Sequence, residues 1–191
     1  MRKFLPLYLL IYLTLPLIVK ASGDPFVEEV KVVHGETVNL SFRVSSVFNK
    51  ELMEAIDSSI ATSFTYLVKV HRQRAFFPDK KLKVIKYNHT VKYDSLKKEY
   101  VVTMGRSDVG LGSDIIVRTA DVEEMKRLMV TTEGLEFTPD EPFKSGSKYS
   151  VLVKAEIDVL HLPLSFILDY MLFFIKLGDV ETDWYRYEFT Y

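Results

Sequence analysis

A strict two-residue alternation in the second half of the chain constrains its fold more than any other sequence feature. From Tyr149 to Val159 every second residue is apolar or aromatic, and most of the residues between them are polar or charged. Successive side chains of a β-strand point to opposite faces of its sheet, so this period predicts a strand with one buried face. Tyrosine and phenylalanine alternate in the same way through residues 185–191. Both segments therefore predict a fold dominated by sheets.

Earlier segments predict antiparallel neighbours for these strands. An apolar run over 27–34 and an alternating run over 38–44 flank His34-Gly35-Glu36, which is typical of a hairpin. Residues 64–70 alternate again, and we expect their strand to end near Phe77-Pro78, because proline cannot donate a ladder hydrogen bond. A second hairpin is expected across Asp94–Lys98, between alternating segments centred on His89 and Val102.

Two or three helices are also predicted. Asn49 suits the N-cap of a short helix to about Ile56, and Asp121, with Glu124 three residues on, suits that of a helix to about Val130. A third helix is expected over 162–177, because Pro163 suits its first turn and Gly178 suits its C-cap. The predicted fold class is mainly β (α+β), an antiparallel β-sandwich or twisted sheet with two or three short helices packed on it.

The N-terminal segment predicts export. Arg2 and Lys3 precede a charge-free apolar run from Phe4 to Val19, and small side chains follow at Ala21-Ser22-Gly23. This order is typical of a secretory signal peptide, although an uncleaved segment of this length could also anchor the chain. We therefore expect residues 1–23 to be a signal peptide or signal anchor, residues 24–191 to form one exported domain, and the protein to lie in the periplasm or cell envelope.

Composition and motifs argue against several classes of function. The chain has no cysteine, so no disulfide, thiolate metal site or cysteine nucleophile can form. A formal net charge of −1 gives no overall field that would attract nucleic acid. The histidines lack metal-ligand spacing, and no phosphate-binding loop or nucleophile elbow is present. We identify no catalytic, cofactor-binding or metal-binding residue. We therefore predict that the protein is not an enzyme and needs no cofactor.

The segment from Leu162 to Leu177 is unusually apolar for a surface helix. Only Ser165, Asp169 and Lys176 are clearly polar, and helical spacing places them on one narrow stripe. One interpretation is a buried helix that covers the sheet. The other is a contact surface, either an interfacial helix at a membrane or the wall of a pocket for an acyl chain or partner helix. In that case the apolar partner would contact Phe166, Tyr170, Phe173 and Phe174, together with the aromatic end strand over 185–191.

The order and spacing of these segments resemble a family of exported bacterial proteins classified as domain of unknown function 4390. The resemblance rests on Glu54-Ala55-Ile56 before a β-run, Tyr93-Asp94-Ser95-Leu96 before Tyr100-Val101-Val102, the helix from Asp121, and the strand over 149–158 before Leu162-Pro163. It covers about residues 27–191. The resemblance implies an envelope protein with one domain and no assigned activity, so it supplies no catalytic residues.

Three functional hypotheses follow. The first is a non-enzymatic bacterial cell-envelope domain that binds an apolar partner, which would be a membrane surface, a lipid or a membrane-associated protein. The second is a structural or assembly module of the envelope with no ligand. The third is a hydrolase built from scattered polar residues that no motif reveals, such as His161 near Asp158. Burial or exposure of the segment 162–177 would separate the first two hypotheses.

Overall fold

A computed structural model of the protein describes residues 23–106, 114–159 and 180–191. These ranges are mainly β and contain ten strands and two helices. The strands are β1 (Phe26–His34), β2 (Val38–Ser45), β3 (Thr62–Arg72), β4 (Lys80–Asp94), β5 (Glu99–Arg106), β6 (Ile115–Thr119), β7 (Thr131–Phe137), β8 (Lys148–Val159), β9 (Val180–Glu181) and β10 (Tyr185–Thr190). The helices are α1 (Lys50–Asp57) and α2 (Val122–Val130).

The strands form two antiparallel sheets. The smaller sheet has the order β1-β2-β7, and the larger has the order β10-β8-β3-β4-β5-β6, with β9 also paired to β8. β3 is central in the larger sheet because it pairs along its whole length with both β4 and β8. Its last residue, Arg72, lies opposite Lys80 on one side and Tyr149 on the other. The connection that follows Arg72 therefore leaves the larger sheet at the end of its central strand.

One buried cluster contains side chains from both sheets. Phe42 of β2 meets Tyr66 of β3 edge to face, with ring centroids 5.2 Å apart. The other side chains of the cluster come mainly from the alternating apolar faces of the strands. On β2 the buried side chains are Val38, Leu40, Phe42 and Val44. On β8 they are Tyr149, Val151, Val153, Ala155 and Ile157. The two helices add Leu52 and Ile56 from α1 and Met125 and Met129 from α2 to the same cluster, and Ala55 of α1 is also buried.

Most of the predicted elements are confirmed within the described ranges. Both hairpins, the strand over 149–159, the aromatic end strand and the two capped helices all form. Asn49 accepts the Leu52 N–H, and Asp121 accepts the N–H groups of Glu123 and Glu124. The leader and the segment 162–177 lie outside the described residues.

The structure differs from the sequence prediction in where β3 ends and in strands that the sequence analysis does not predict, of which β7 is the longest. The strand expected to run to Phe77 ends five residues earlier, at Arg72, because its ladder partners on β4 and β8 end there. β7 was not predicted at all. It follows α2 with no linker and contains Gly134 at a φ of 65°, and its pairing with β2 shifts register between Leu40 and Phe42. The shift breaks the two-residue period, so Thr132 and Leu135 are buried three positions apart.

Candidate binding site for an apolar partner

The connection between β3 and β4 exposes two aromatic side chains. We call residues Gln73–Asp79 the aromatic loop. Phe76 is 92% exposed and Phe77 is 70% exposed, and every residue from 74 to 79 is exposed. Both rings are more exposed than another adjacent pair of large apolar side chains, Ile115 and Ile116, which are 57% and 59% exposed. Adjacent exposed aromatic rings on a loop form a candidate contact surface.

Backbone and side-chain contacts anchor this loop at its base. At its start, the Gln73 N–H donates to the Lys148 carbonyl over 2.8 Å. At its end, Arg186 of β10 forms an ion pair with Asp79 over 3.3 Å. Between them, the Arg74 Nε donates to the Pro78 carbonyl over 2.8 Å, which closes the turn. The loop is thus attached to two neighbouring strands while its tip points into solvent.

Cations outnumber anions in the chain segment around the aromatic pair, while Glu141 and Glu188 approach the base of the loop from neighbouring elements. Residues 72–81 contain four cations (Arg72, Arg74, Lys80 and Lys81) and one anion, Asp79, although the whole chain has a formal net charge of −1. The Arg74 guanidinium lies 5.9 Å from the centre of the Phe77 ring, within the range of a cation–π contact. The cations are therefore concentrated beside the exposed rings.

Two titratable groups near the loop have shifted pKa values, and the main causes of the two shifts differ. A hydrogen bond from Lys80, together with the positive charges of Lys80, Arg72 and Lys144, holds the pKa of Glu141 below its usual range. Burial lowers the pKa of His71, and the cations Lys69, Arg186 and Lys81 lower it further while Asp79 opposes them. Only the Glu141 shift is mainly the effect of a neighbouring cation, since burial is the largest cause at His71 and Asp79 is the strongest charge acting on that ring.

A cluster of stacked rings supports the base of the loop. Tyr149 lies opposite Arg72 on one side and opposite Phe189 of β10 on the other. The Phe189 ring packs 5.4 Å from Tyr149 and 4.0 Å from His34, which ends β1. Both sheets therefore contribute to this cluster, and a packed aromatic base holds the loop on an ordered edge of the fold.

The sequence placed the apolar contact elsewhere. Phe166, Tyr170, Phe173 and Phe174 lie outside the described residues. The aromatic end strand, also considered as a contact, has its two inward rings partly buried against the core, while Tyr185 is 37% and Tyr191 is 42% exposed. Sequence reasoning treated Phe77 only as the end of a strand. The signal that could have identified the loop is an aromatic pair flanked by Arg and Lys in a segment that breaks the two-residue period.

A second surface feature is a groove of about 630 Å³ on the outer face of the larger sheet. Hydroxyl and charged groups supply much of its lining, including Thr90, Lys92, Asp94, Thr103 and Arg118. The Arg118 guanidinium is already paired with Glu99 over 3.0 Å. Apolar side chains, including Leu96 and Val101, complete the lining.

Tyr66 and His89 form a polar cluster inside the fold rather than a surface site. Both side chains are at most 1% exposed, and both hydrogen-bond the Met129 carbonyl at the end of α2, His89 through Nδ1 over 3.2 Å. These hydrogen bonds attach the end of α2 to β3 and β4 of the larger sheet. Across the described part of the chain no group of three or more acidic or histidine side chains is arranged to hold a metal ion. Within the same part, no helix is long and apolar enough to cross a bilayer.

These features define a mainly β domain of two antiparallel sheets and two short helices, with an exposed aromatic loop on a basic edge of the larger sheet. The chain belongs to the family described as domain of unknown function (DUF4390), which matches residues 28–188 and so includes the loop and both sheets. The family resemblance predicted from segment order is thereby confirmed. No curated protein and no solved structure matches the chain.

Proposed function

We propose that this protein is a non-enzymatic domain of the bacterial cell envelope that binds an apolar partner, a lipid or a membrane-associated protein, through the aromatic loop. The observation that carries the proposal is the exposure of Phe76 and Phe77, 92% and 70%, on a loop anchored at both ends. Burying one phenylalanine side chain contributes roughly 1.5–3 kcal/mol. Two adjacent rings can therefore supply a useful share of a binding free energy.

The architecture supports this use of the loop. We infer that the two sheets form a β-sandwich, since Phe42 and Tyr66 meet between them and one buried cluster includes side chains from both. Such a core holds the strand ends in place, and binding residues are commonly carried on loops positioned by a rigid scaffold. The partner would then meet a preformed surface and would have few side chains to order on binding.

The location in the envelope is part of the proposal. It is supported by the cations Arg2 and Lys3 before the charge-free run from Phe4 to Val19, the pattern of an export signal. Export delivers the domain to a compartment bounded by membranes, where apolar partners are abundant.

A fluorescent label beside the loop tip tests the proposal. The chain has no cysteine, so Ala75→Cys creates a unique labelling site next to Phe76. On addition of uncharged dodecyl maltoside micelles, we expect the emission of an environment-sensitive dye at this site to shift to the blue. The additional changes Phe76→Ser and Phe77→Ser should abolish the shift, because they remove the apolar side chains that enter the micelle.

Ser95→Cys is the matched control. It places the same dye next to Leu96, which is 94% exposed in the turn at the opposite end of β4. All variants keep the same first 23 residues, so any contribution from that segment is common to them. Equal emission shifts at positions 75 and 95, or a shift that survives the two serine substitutions, would contradict binding through the aromatic loop.

A further inference from the structure

The charges around the aromatic loop point to the chemistry of its partner. We infer that the loop docks on the surface of an anionic phospholipid bilayer, with Phe76 and Phe77 inserted among the acyl chains and the neighbouring Arg and Lys side chains on the lipid phosphates. This inference rests on the proposed function, because it names the partner of the same site. The first supporting observation is the ratio of four cations to one anion over residues 72–81.

The individual cations are placed to contact a headgroup layer. Arg74 and Lys81 are exposed on either side of the aromatic pair, and neither forms an ion pair among the described residues. Lys80 and Arg186 are instead engaged by Glu141 and Asp79 at the base of the loop. Long cationic side chains can keep their heads at the interface while their apolar stems lie deeper. Arg74 thus lies beside the tip and Lys81 lies at the base of the loop, opposite His71, where each can approach the phosphates around an inserted tip.

The shape of the loop favours a bilayer over a protein groove. The aromatic pair lies at a protruding tip, with all of residues 74–79 exposed. Interfacial segments place their apolar side chains about 5–10 Å into the boundary between headgroups and acyl chains, a depth that the rings of a loop tip can reach. A soft apolar layer with anionic groups at its surface matches both the rings and the cations. A protein partner would need a concave apolar pocket with an acidic rim.

Flotation with lipid vesicles tests the inference. The full chain is mixed with vesicles of phosphatidylcholine alone or of phosphatidylcholine containing phosphatidylglycerol, and the bound fraction is measured against lipid concentration. We expect clearly tighter binding to the anionic vesicles. The difference should shrink in high salt, since the screening length falls from about 10 Å at 0.1 M to about 3 Å at 1 M.

Charge variants assign the effect to the loop. Each cation near an anionic membrane contributes roughly a fivefold change in affinity, so Arg74→Gln with Lys81→Gln should weaken binding to anionic vesicles about 30-fold. Lys92→Gln with Lys97→Gln removes the same charge from exposed positions toward the other end of β4. That control should change the affinity by less than about twofold, because those positions are far from the inserted tip.

The outcomes separate this inference from the proposed function. Equal binding to neutral and anionic vesicles, or equal losses in the two charge variants, would overturn the anionic bilayer while leaving a micelle-dependent shift at position 75 intact. A shift in micelles with no binding to either vesicle would also overturn it and would indicate a protein partner. No shift in micelles would refute the proposed function itself.

Discussion

At the scale of single residues, His89 shows how burial determines protonation. Its ring lies between Tyr66 and Tyr87, with centroids 5.0 Å from each, and its Nδ1–H donates to the Met129 carbonyl. Among the described residues its buried Nε2 has no hydrogen-bond partner. A proton there would place an unpaired charge in the core, so burial lowers the pKa of His89 to about 4, although the bond to Met129 opposes the shift.

This burial predicts a specific loss of stability in acid. The unfolded chain takes up a proton on His89 near pH 6.5, whereas the folded chain does so only near its pKa of about 4. The stabilisation is therefore complete above pH 6.5 and declines as the pH falls toward 4, by about 3 kcal/mol. His89→Gln should lack this component in urea unfolding followed from pH 7 to 4.

A second histidine serves as the comparison for this experiment. Burial also lowers the pKa of His71, but that side chain is only partly buried, so His71→Gln should change the acid dependence less. If His89→Gln and the wild type lose stability in parallel over this pH range, the buried imidazole is not the cause.

At the scale of elements, α2 depends on the side chain that begins it. The Asp121 carboxylate accepts the Glu123 N–H over 2.8 Å and the Glu124 N–H over 3.4 Å. Glu124 has the spacing of a capping box, yet its carboxylate accepts the Thr119 hydroxyl over 2.6 Å. The Thr119 hydroxyl in turn accepts the Asp121 N–H over 3.1 Å. The end of β6 therefore completes a cap that the local motif predicts only in part.

Removing this cap should destabilise the fold by about 1 kcal/mol. We expect Asp121→Ala to lower the free energy of unfolding by that amount, which is observed as a lower urea midpoint with an unchanged slope. Asp121→Asn should keep most of the stability, since its amide oxygen can accept the same N–H groups. Equal losses in the two variants would mean that the charge of Asp121 at the start of the helix matters rather than its hydrogen bonds.

At the scale of the whole molecule, side chains of both sheets contribute to one buried cluster. Phe42 is 2% exposed and packs on Tyr66, whereas Phe26 on β1 of the same sheet is 48% exposed. The two phenylalanines provide a matched pair that differs in burial. Their comparison measures how much the packing of Phe42 on Tyr66 contributes to stability.

Phe42→Ala should cost about 3–5 kcal/mol, because it removes a buried ring and leaves a cavity between the sheets. Phe26→Ala should cost less than about 1 kcal/mol, since most of its ring already contacts water. Urea unfolding followed by circular dichroism measures both. A loss for Phe42→Ala no larger than that for Phe26→Ala would show that the intersheet contact contributes little to stability.

Elements whose signals are local can be predicted from the sequence alone. Val38, Leu40, Phe42 and Val44 alternate because one face of β2 is buried, and Asn49 and Asp121 begin helices because their oxygens accept N–H groups two or three residues later. These effects act within a few residues of one another. They are visible without knowing the partners of each strand.

Features that depend on partners distant in the sequence become visible only in the tertiary structure. β3 ends at Arg72 because its neighbours Lys80 and Tyr149 end the ladders there, and β7 forms because β2 offers a free edge to a segment with weak alternation of its own. The same early end of β3 leaves Phe76 and Phe77 in a loop rather than in a strand. The candidate site was therefore missed in the sequence, since exposure is determined by how strands pair across the whole fold.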